Sequence, residues 1–585
     1  MGGFFISPLV DVNEIDMTTT IPAVATSIAV NVIRRAYKGQ EKKIMFDSGS
    51  DSFIRRYGAP TKHPECYKDM HSSLGYLKYG QKHFSTRVLP PSATFAGSDL
   101  DPSGEWMPHS QNTALKLIDF QSEDADEYAE EFGDDISATD SPLWVIANSR
   151  GDWGNNIRIA VCDKTTYEDI QSGNESMYSS TIDPDKTTMG VFKSIDTPLV
   201  DDTDFVMVVQ EKDRGSPIYA TKEVWNISTD EDAVDDQGNT KFAETVINEE
   251  SDLIRVVMNE DQKNAPFTHF NDQFSNLGGG YSADDMPLPD AEVMDALSLF
   301  RNPEELDVNI FIDGDKSDTV KRNMIEICEH RMDSMALLDC HADHVVFNRG
   351  SEATDLRTWR LEEFNQNTSY AAVYGNWLNI YDKYNRKYRW IPSSGYVAGI
   401  YANTDNVADP WFAPAGLNRA ILTGVRKLAW NPDKGNRDIL YKNSINPITS
   451  FSGLGKVIWG QKTMLMKPSA FNRINVRRLF MTLEKAISTA AKYFVMEPNT
   501  EETRLQMRNM IVPFLKGVQA REGIYDFAVV NDSRVNTPQR IDRQELWTDI
   551  YIKPTRAAEF IVLNFIASKT GANFSELIGQ RAAGE

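Results

Sequence analysis

The sequence predicts a multi-domain protein of the α+β / α/β class. An α/β core is built from both ends of the chain, a β-rich outer region is inserted into it, and extended arms flank it at the N- and C-termini. Three observations carry this prediction. The chain has 585 residues, more than a single hydrophobic core serves. Its charge is segregated: residues 94–290 hold 42 acidic and 12 basic side chains, net −30, against −24 for the whole chain, so the remainder is +6. Apolar runs alternate with amphipathic ones over residues 291–338 at the spacing of parallel strand–helix–strand units. Aromatics, glycine and proline are spread throughout, which argues against wholesale disorder.

Residues 1–22 read as an arm joining the C-terminal domain. Apolar positions recur at Phe5, Ile6, Leu9, Val10, Val12 and Ile15, while Pro8 and Pro22 exclude a continuous helix. The segment lacks a basic start and a long apolar core, so it is not expected to be a signal peptide. No run approaches the ~20 apolar residues that span a bilayer. Residues 23–93 open the middle α/β domain, with a strand at Val24–Ile33, helices at Ser50–Arg56 and Tyr67–Tyr79, and a strand at Phe84–Leu89.

Beyond Pro90-Pro91 the acidic insert occupies residues 94–286. Strands are expected at Leu143–Asn148, Ile157–Cys162, Phe205–Glu211, Ala220–Ile227 and Leu253–Met258, divided into two subdomains. Glu123 to Asp135 is a charge run, and Thr229 to Thr240 reads as an acidic loop. The middle domain resumes over 287–440. Ala291–Phe300 and Thr319–Arg331 have helical periodicity, and Val308–Ile312 and Met335–Leu338 are buried strands. Tyr370–Tyr374 and Trp377–Asp382 are expected to pair with Lys387–Ile391, ahead of a helix at Ser394–Asn403.

Residues 441–568 form the C-terminal domain, a helix pair with a small antiparallel sheet, and 569–585 the C-terminal arm. A helix runs from Asn475 to Phe494. Apolar strands are expected at Ile524–Val530, Leu546–Ile552 and Phe560–Ala567. From Ala415 to the C-terminus there are 25 basic and 15 acidic residues, net +10. Arg473, Arg477 and Arg478 crowd the first turns of the helix, against its macrodipole. That placement predicts partners for them, carboxylates on another chain. The apolar stretch holding Ile561, Leu563 and Phe565, with Phe574 beyond it, is a strand edge suited to pairing with another chain. Phe5, Leu9 and Val12 of the N-terminal arm are its natural counterpart.

No active site is legible. The four cysteines, Cys66, Cys162, Cys328 and Cys340, lack paired spacing, so neither a disulfide framework nor a zinc knuckle follows. Cys328, His330, Cys340, His341 and His344 have zinc-ligand chemistry, but Cys328 and His330 fall on different helix faces. Buried cysteines and a strand-end histidine account for them. Gly453-Leu-Gly-Lys456 fails the phosphate-loop pattern at both ends, with Ser450 and Val457 where glycine and Ser/Thr are needed. Those glycines read as turn residues. Arg150-Gly151-Asp152 is not expected to serve recognition in a protein without an export signal. No cofactor and no metal is called, and the acidic balance argues against nucleic-acid binding.

Four stretches carry a family resemblance: Ser7-Pro8 with Asp16 to Ser27; Tyr57-Gly-Ala-Pro60 with Leu77-Lys-Tyr-Gly80; Trp390 to Tyr401; and residues 446–579, notably Arg473-Ile-Asn-Val-Arg-Arg-Leu479 and Ile552-Lys-Pro-Thr-Arg556. In these the chain resembles tail sheath proteins of contractile bacteriophages, the large multi-domain myovirus kind. The resemblance implies a non-enzymatic structural subunit of the virion, assembled in the host cytoplasm. Copies would self-associate as six-fold stacked rings around a tail tube protein and meet baseplate and tail terminator proteins. Contraction would drive the tube through the host envelope. It implies no direct nucleic-acid contact and no membrane insertion. Two alternatives stand: the sheath of a pyocin-like injection particle, and, from another class, an enzyme binding a small molecule at strand ends such as Asp313-Gly314. On the sheath reading, reversing Arg477 and Arg478 to Glu abolishes assembly on tubes and leaves a folded monomer.

Overall fold

Six consecutive buried residues make β1 (Ala29–Arg34), apolar toward both faces as in a strand covered from two sides. The computed structural model describes residues 27–102, 104–109, 141–173, 188–212, 214 and 216–561. The arms and the proposed contacts Phe5, Leu9, Val12, Leu563, Phe565 and Phe574 lie outside these residues. After β1 come β2 (Met45–Asp47), α1 (Ser50–Tyr57), α2 (Pro64–Tyr76) and β3 (His83–Val88). Pro64 suits the first turn of α2. The helix stops at Tyr76, short of the expected Tyr79, because the chain turns there and the Gly80 N–H closes on the Tyr76 carbonyl.

The insert follows as β4 (Gly97–Leu100), β5 (Trp106–Pro108), β6 (Leu143–Ala147), β7 (Ile157–Asp163), α3 (Lys164–Ser172), α4 (Thr188–Lys193), β8 (Asp204–Lys212), β9 (Tyr219–Ser228), α5 (Ala243–Glu250), β10 (Ile254–Met258) and β11 (Ser275–Asn276). Its strands form two antiparallel four-stranded sheets, ordered β10-β6-β4-β5 and β11-β7-β8-β9. The inward residues of both sheets meet in one core, with Leu100, Trp106 and Val145 facing Ile159, Phe205 and Met207. Two separate subdomains were expected; shared burial makes a single sandwich. Period-two alternation sends Ala160, Cys162, Val206 and Val208 to the far face, where Tyr167, Ile170 and Phe192 of α3 and α4 cover them.

The chain re-enters the core through α6 (Asp290–Ser298), β12 (Ile310–Ile312), α7 (Asp318–Arg331), β13 (Met335–Asp339), α8 (Glu352–Thr358) and β14 (Ala371–Tyr374). It continues through β15 (Trp377–Asp382), β16 (Lys387–Pro392), α9 (Ser394–Val407), β17 (Lys427–Leu428), α10 (Lys434–Lys442), β18 (Ile445–Asn446), β19 (Ile448–Phe451) and β20 (Gly455–Ile458). A seven-stranded sheet ordered β18-β14-β13-β12-β1-β3-β2 unites strands from before and after the insert. Neighbours are parallel except at the β2 edge. Two cores sandwich the sheet, one on each face.

Two expectations change here. Residues 371–374 do not pair with β16; fully buried, they lie between β13 and β18 in the parallel sheet, leaving β15 alone to pair with β16. Residues 445–464, read as the start of the C-terminal domain, pack centrally. β18 is a sheet edge, Ile448, Val457 and Ile458 join one central core, and Met464 joins the other. Gly453 (φ 77°) and Gly455 (φ 91°) turn the β19–β20 hairpin, the turn role their spacing predicts.

The last unit consists of α11 (Ile474–Ala491), α12 (Glu501–Ala520), β21 (Ile524–Val530), α13 (Pro538–Asp542) and β22 (Asp549–Pro554). Thr500 caps α12 by accepting from the Thr503 N–H. Phe560 and Ile561, expected to start a strand, are exposed irregular chain.

Candidate assembly surface of the C-terminal unit

Helix α11 is apolar on two sides. Ile474 and Met481 enter a central core, while Leu479, Leu483 and Ala490 enter the core of the C-terminal unit. A helix shared between two cores has little free surface, and this decides the fate of its cations. Arg473 forms a two-pronged ion pair with Glu559, at 2.6 and 2.9 Å. Arg478 reaches Asp405 of α9 at 2.6 Å and lies over the Tyr401 ring at 4.8 Å. Arg477 stacks on Tyr370 at 3.9 Å, and burial pushes its guanidinium pKa down. Lys485 contacts Asp307 and reaches Asp333 at 3.0 Å. The expected carboxylate partners exist, but they belong to the same chain. Arg477 and Arg478 are buried in it. Asp405, Tyr370 and Glu559 lie 73, 107 and 86 residues from the arginines they meet, too far for any local pattern to mark them.

A second fastening comes from the loop after α9. Trp411 is buried in the core of the C-terminal unit, its Nε1–H donates to the Arg521 carbonyl at 3.0 Å, and the Arg521 guanidinium covers its ring at 4.8 Å. Gly523 admits this ring: a Cβ there would lie 3.1 Å from it and 2.6 Å from Val518.

Strands β21 and β22 form a sheet that has two strands among the described residues. A lone hairpin is marginal in water. This one is held by helix packing, with Ile524, Phe527, Val529, Ile550 and Ile552 set against Ile511, Leu515 and Val518. Its outer edges carry backbone donors and acceptors directed away from the pair, and Tyr525 and Tyr551 are exposed on it. Ile561 is 78% exposed at the end of the described chain. The arrangement is a small, open sheet on a rigid support, suited to receiving strands.

The strand ends of the central sheet, where an α/β enzyme would bind ligand, are filled by the chain's own groups. Asp313 accepts from the Lys316 and Asp339 N–H groups, both at 2.9 Å. Asp339 accepts from the Ser393 and Ser394 N–H groups at 2.7 and 2.8 Å, at the start of α9. Arg34 and Lys316 converge on Asp69, at 2.7 and 3.5 Å. Both nitrogens of His341 are engaged, by Asp315 at 3.2 Å and Asp318 at 2.9 Å, and this raises its pKa to about 9 against the opposing effect of burial. The Cys66 and Cys328 thiols are buried and pushed up to about 11 and 12 by desolvation, unsuited to nucleophilic chemistry at neutral pH. Among the described residues no group of three or more His, Cys, Asp or Glu side chains could hold a metal, and no helix is long and apolar enough to cross a membrane. Arg150 pairs with Glu41 at 2.5 Å and Asp152 accepts from the Ser282 N–H, so that triplet is a joint between the insert and the core.

Comparison with known proteins adds an independent line. Residues 290–464 match the phage tail sheath protein central domain, and residues 466–568 match the phage tail sheath C-terminal domain. The division falls where the packing changes from the central cores to α11. The chain is 38% identical over 324 residues to the tail sheath protein of Vibrio phage KVP40, covering 52% of this chain and 48% of that protein. It is 39% identical over 318 residues to the tail sheath protein of Enterobacteria phage T4, with the same coverage. The chain spans about half the length of these curated relatives. A solved sheath tail protein from Listeria innocua shares the fold with a TM-score of 0.51 at 10% identity, over 91% of this chain and 96% of that one.

Proposed function

Since the chain belongs to the phage tail sheath family, whose central and C-terminal domains it carries in order, we propose that it is a non-enzymatic structural subunit that polymerises around a tail tube. Copies stack as rings in a long state, and contraction to a second packing of the same subunits drives the tube through the host envelope. Such a bistable lattice stores its energy in contacts, with no nucleotide hydrolysis. Self-association is the primary partnership; tube, baseplate and terminator proteins are the others.

The observation that carries this reading is the open β21–β22 sheet on its helical support. The chain-terminal arms, 1–22 and the stretch beyond Ile561, supply strands that neighbouring copies exchange through these edges. Heterologous exchange of this kind extends without closing, as a helical sheath requires. The +10 charge of residues 415–585 favours the C-terminal unit as the inner face. With Arg477 and Arg478 enclosed, the exposed cations Arg508 and Lys516 of α12 are the candidates for contact with an acidic tube. The acidic insert then faces outward.

Negative-stain microscopy of the purified full chain tests the reading. Long regular tubes are expected, and deletion of residues 1–15, or of everything after Ser568, should leave soluble monomer. A wild-type chain that stays monomeric at every concentration and ionic strength sinks the proposal. Regular tubes from either truncation sink the arm exchange.

A further inference from the structure

The three-stranded sheet β16-β15-β17 turns one face to solvent, and that face is aromatic and cationic. Tyr381 and Tyr388 are cross-strand partners, each 53% exposed, with ring centroids 5.3 Å apart. Arg426 lies over the Tyr388 ring at 4.1 Å, and Lys427 lies over Trp390 at 5.2 Å. Phe347, 89% exposed and edge-on to Trp390, extends the surface. Arg426 and Lys427 are both exposed, and neither forms an ion pair among the described residues. Exposed aromatic rings interleaved with cations mark an interaction face rather than a solvated one.

The complementary surface is on the same chain. After β9 the segment Asp230–Thr240 forms a turn: the Asp235 N–H bonds the Asn239 carbonyl at 2.8 Å, and Asn239 donates to the Asp235 carboxylate at 3.0 Å. Gly238, at φ 86°, closes it. Glu231, Asp232 and Asp236 stand exposed around Val234, which is itself 60% exposed. The turn is a preformed acidic knob with an apolar tip. It cannot serve the patch of its own subunit. The near end of β9 adjoins the central unit, where Arg214 and Asn385 both donate to the Pro60 carbonyl. The knob stands at the other end of this ten-residue strand, ~30 Å away at ~3.3 Å per residue.

We infer that the Tyr381–Tyr388–Trp390 face, with Arg426 and Lys427, receives the acidic turn 230–240 of a second copy. This rests on the assembly reading and adds a specific contact between the insert and the central unit of another subunit. Carboxylates meet the two cations, and Val234 meets the rings, so the contact is strong at low salt and weakens as screening rises.

Charge exchange tests it in the full chain. Arg426→Glu with Lys427→Glu, or Asp232→Arg with Asp236→Arg, should each raise the critical concentration for polymerisation about tenfold. All four changes together should restore it, with thermal melts unchanged throughout. A second measurement uses Val234→Cys with Tyr388→Cys, since the four native cysteines are buried. Mild oxidation of polymer should give a covalent ladder. Unchanged polymerisation in either pair, no rescue in the combination, or polymer without a ladder overturns the contact while leaving the sheath reading intact. A wild-type chain that forms no polymer removes both.

Discussion

Asp339 is a carboxyl group placed where ionisation is costly. It is fully enclosed at the end of β13, beside Asp313 at the end of β12. Desolvation first, and the neighbouring Asp313 charge second, raise its pKa to about 7. Its Oδ1 accepts the N–H groups of Ser393 and Ser394, while Oδ2 has no hydrogen-bond partner among the described residues. The sign follows from linkage. The folded chain retains a proton that an unfolded aspartate releases near pH 4, so stability falls as pH rises from about 4 to 7 and levels off above that. Asp339→Asn keeps an oxygen for the α9 amides and removes the ionisation. We expect it to flatten this pH dependence and to match or exceed wild-type stability at pH 8, by up to a few kcal/mol. Chemical denaturation at pH 5 and pH 8 decides; a variant that keeps the wild-type slope excludes Asp339 as its source.

Helix α11 shows what periodicity conveys and what it omits. Its existence and extent were legible in the sequence, within one residue at the N-terminal end and three at the C-terminal end. So were five of the insert's eight strands, β6 to β10, and the β12–α7–β13 unit, because each repeats at the period of its own geometry; the short β4, β5 and β11 were not. The roles of the arginines were not legible. Their position in the first turns, against the macrodipole, predicts carboxylate partners but not that these lie on the same chain, and only the second core packed over Ile474 and Met481 encloses them. The sheet membership of β14 and β18 was hidden for a related reason: pairing between segments about 70 residues apart leaves no local mark. The β21–β22 pair was legible as strands; that its outer edges have no strand partner among the described residues was not. The enclosed arginines reverse one expectation. Arg478→Glu would set a carboxylate against Asp405, whose side chain is 6% exposed. Breaking a buried pair of this kind costs about 3–5 kcal/mol, so the variant should unfold earlier instead of persisting as a stable, assembly-deficient monomer. A melt unchanged from wild type would show that the pair is not closed in solution.

The molecule as a whole is a sheet interrupted by an insert, and the point of interruption suggests how separable the two are. The chain leaves and returns side by side: Thr94 and Gly97 exchange backbone hydrogen bonds with Tyr281 and Gly278 at 2.8–3.3 Å. β1 and β3, which precede the insert, are joined to β12, which follows it, by pairing within the sheet. The core therefore has its own closure and does not need the insert as a scaffold. Across the boundary run polar ties, chiefly Arg150–Glu41 and Lys38–Glu211, and one apolar contact, Tyr37 against the insert's core. The deeply buried Arg87 donates to the Arg150 carbonyl but also to those of Ala36, Tyr37 and Gly39, so it keeps partners when the insert is gone. Replacing residues 95–280 with a two-glycine link removes 39 acidic and 12 basic side chains and takes the net charge from −24 to +3. The shortened chain should fold, with a cooperative melt close to that of the central unit in the full protein. It should still form tubes, since the β21–β22 edges and both arms remain, but at about tenfold higher concentration, because the acidic turn is lost. Tubes at the wild-type threshold would assign the insert no part in the lattice. A molten chain would mean that the insert is structural after all.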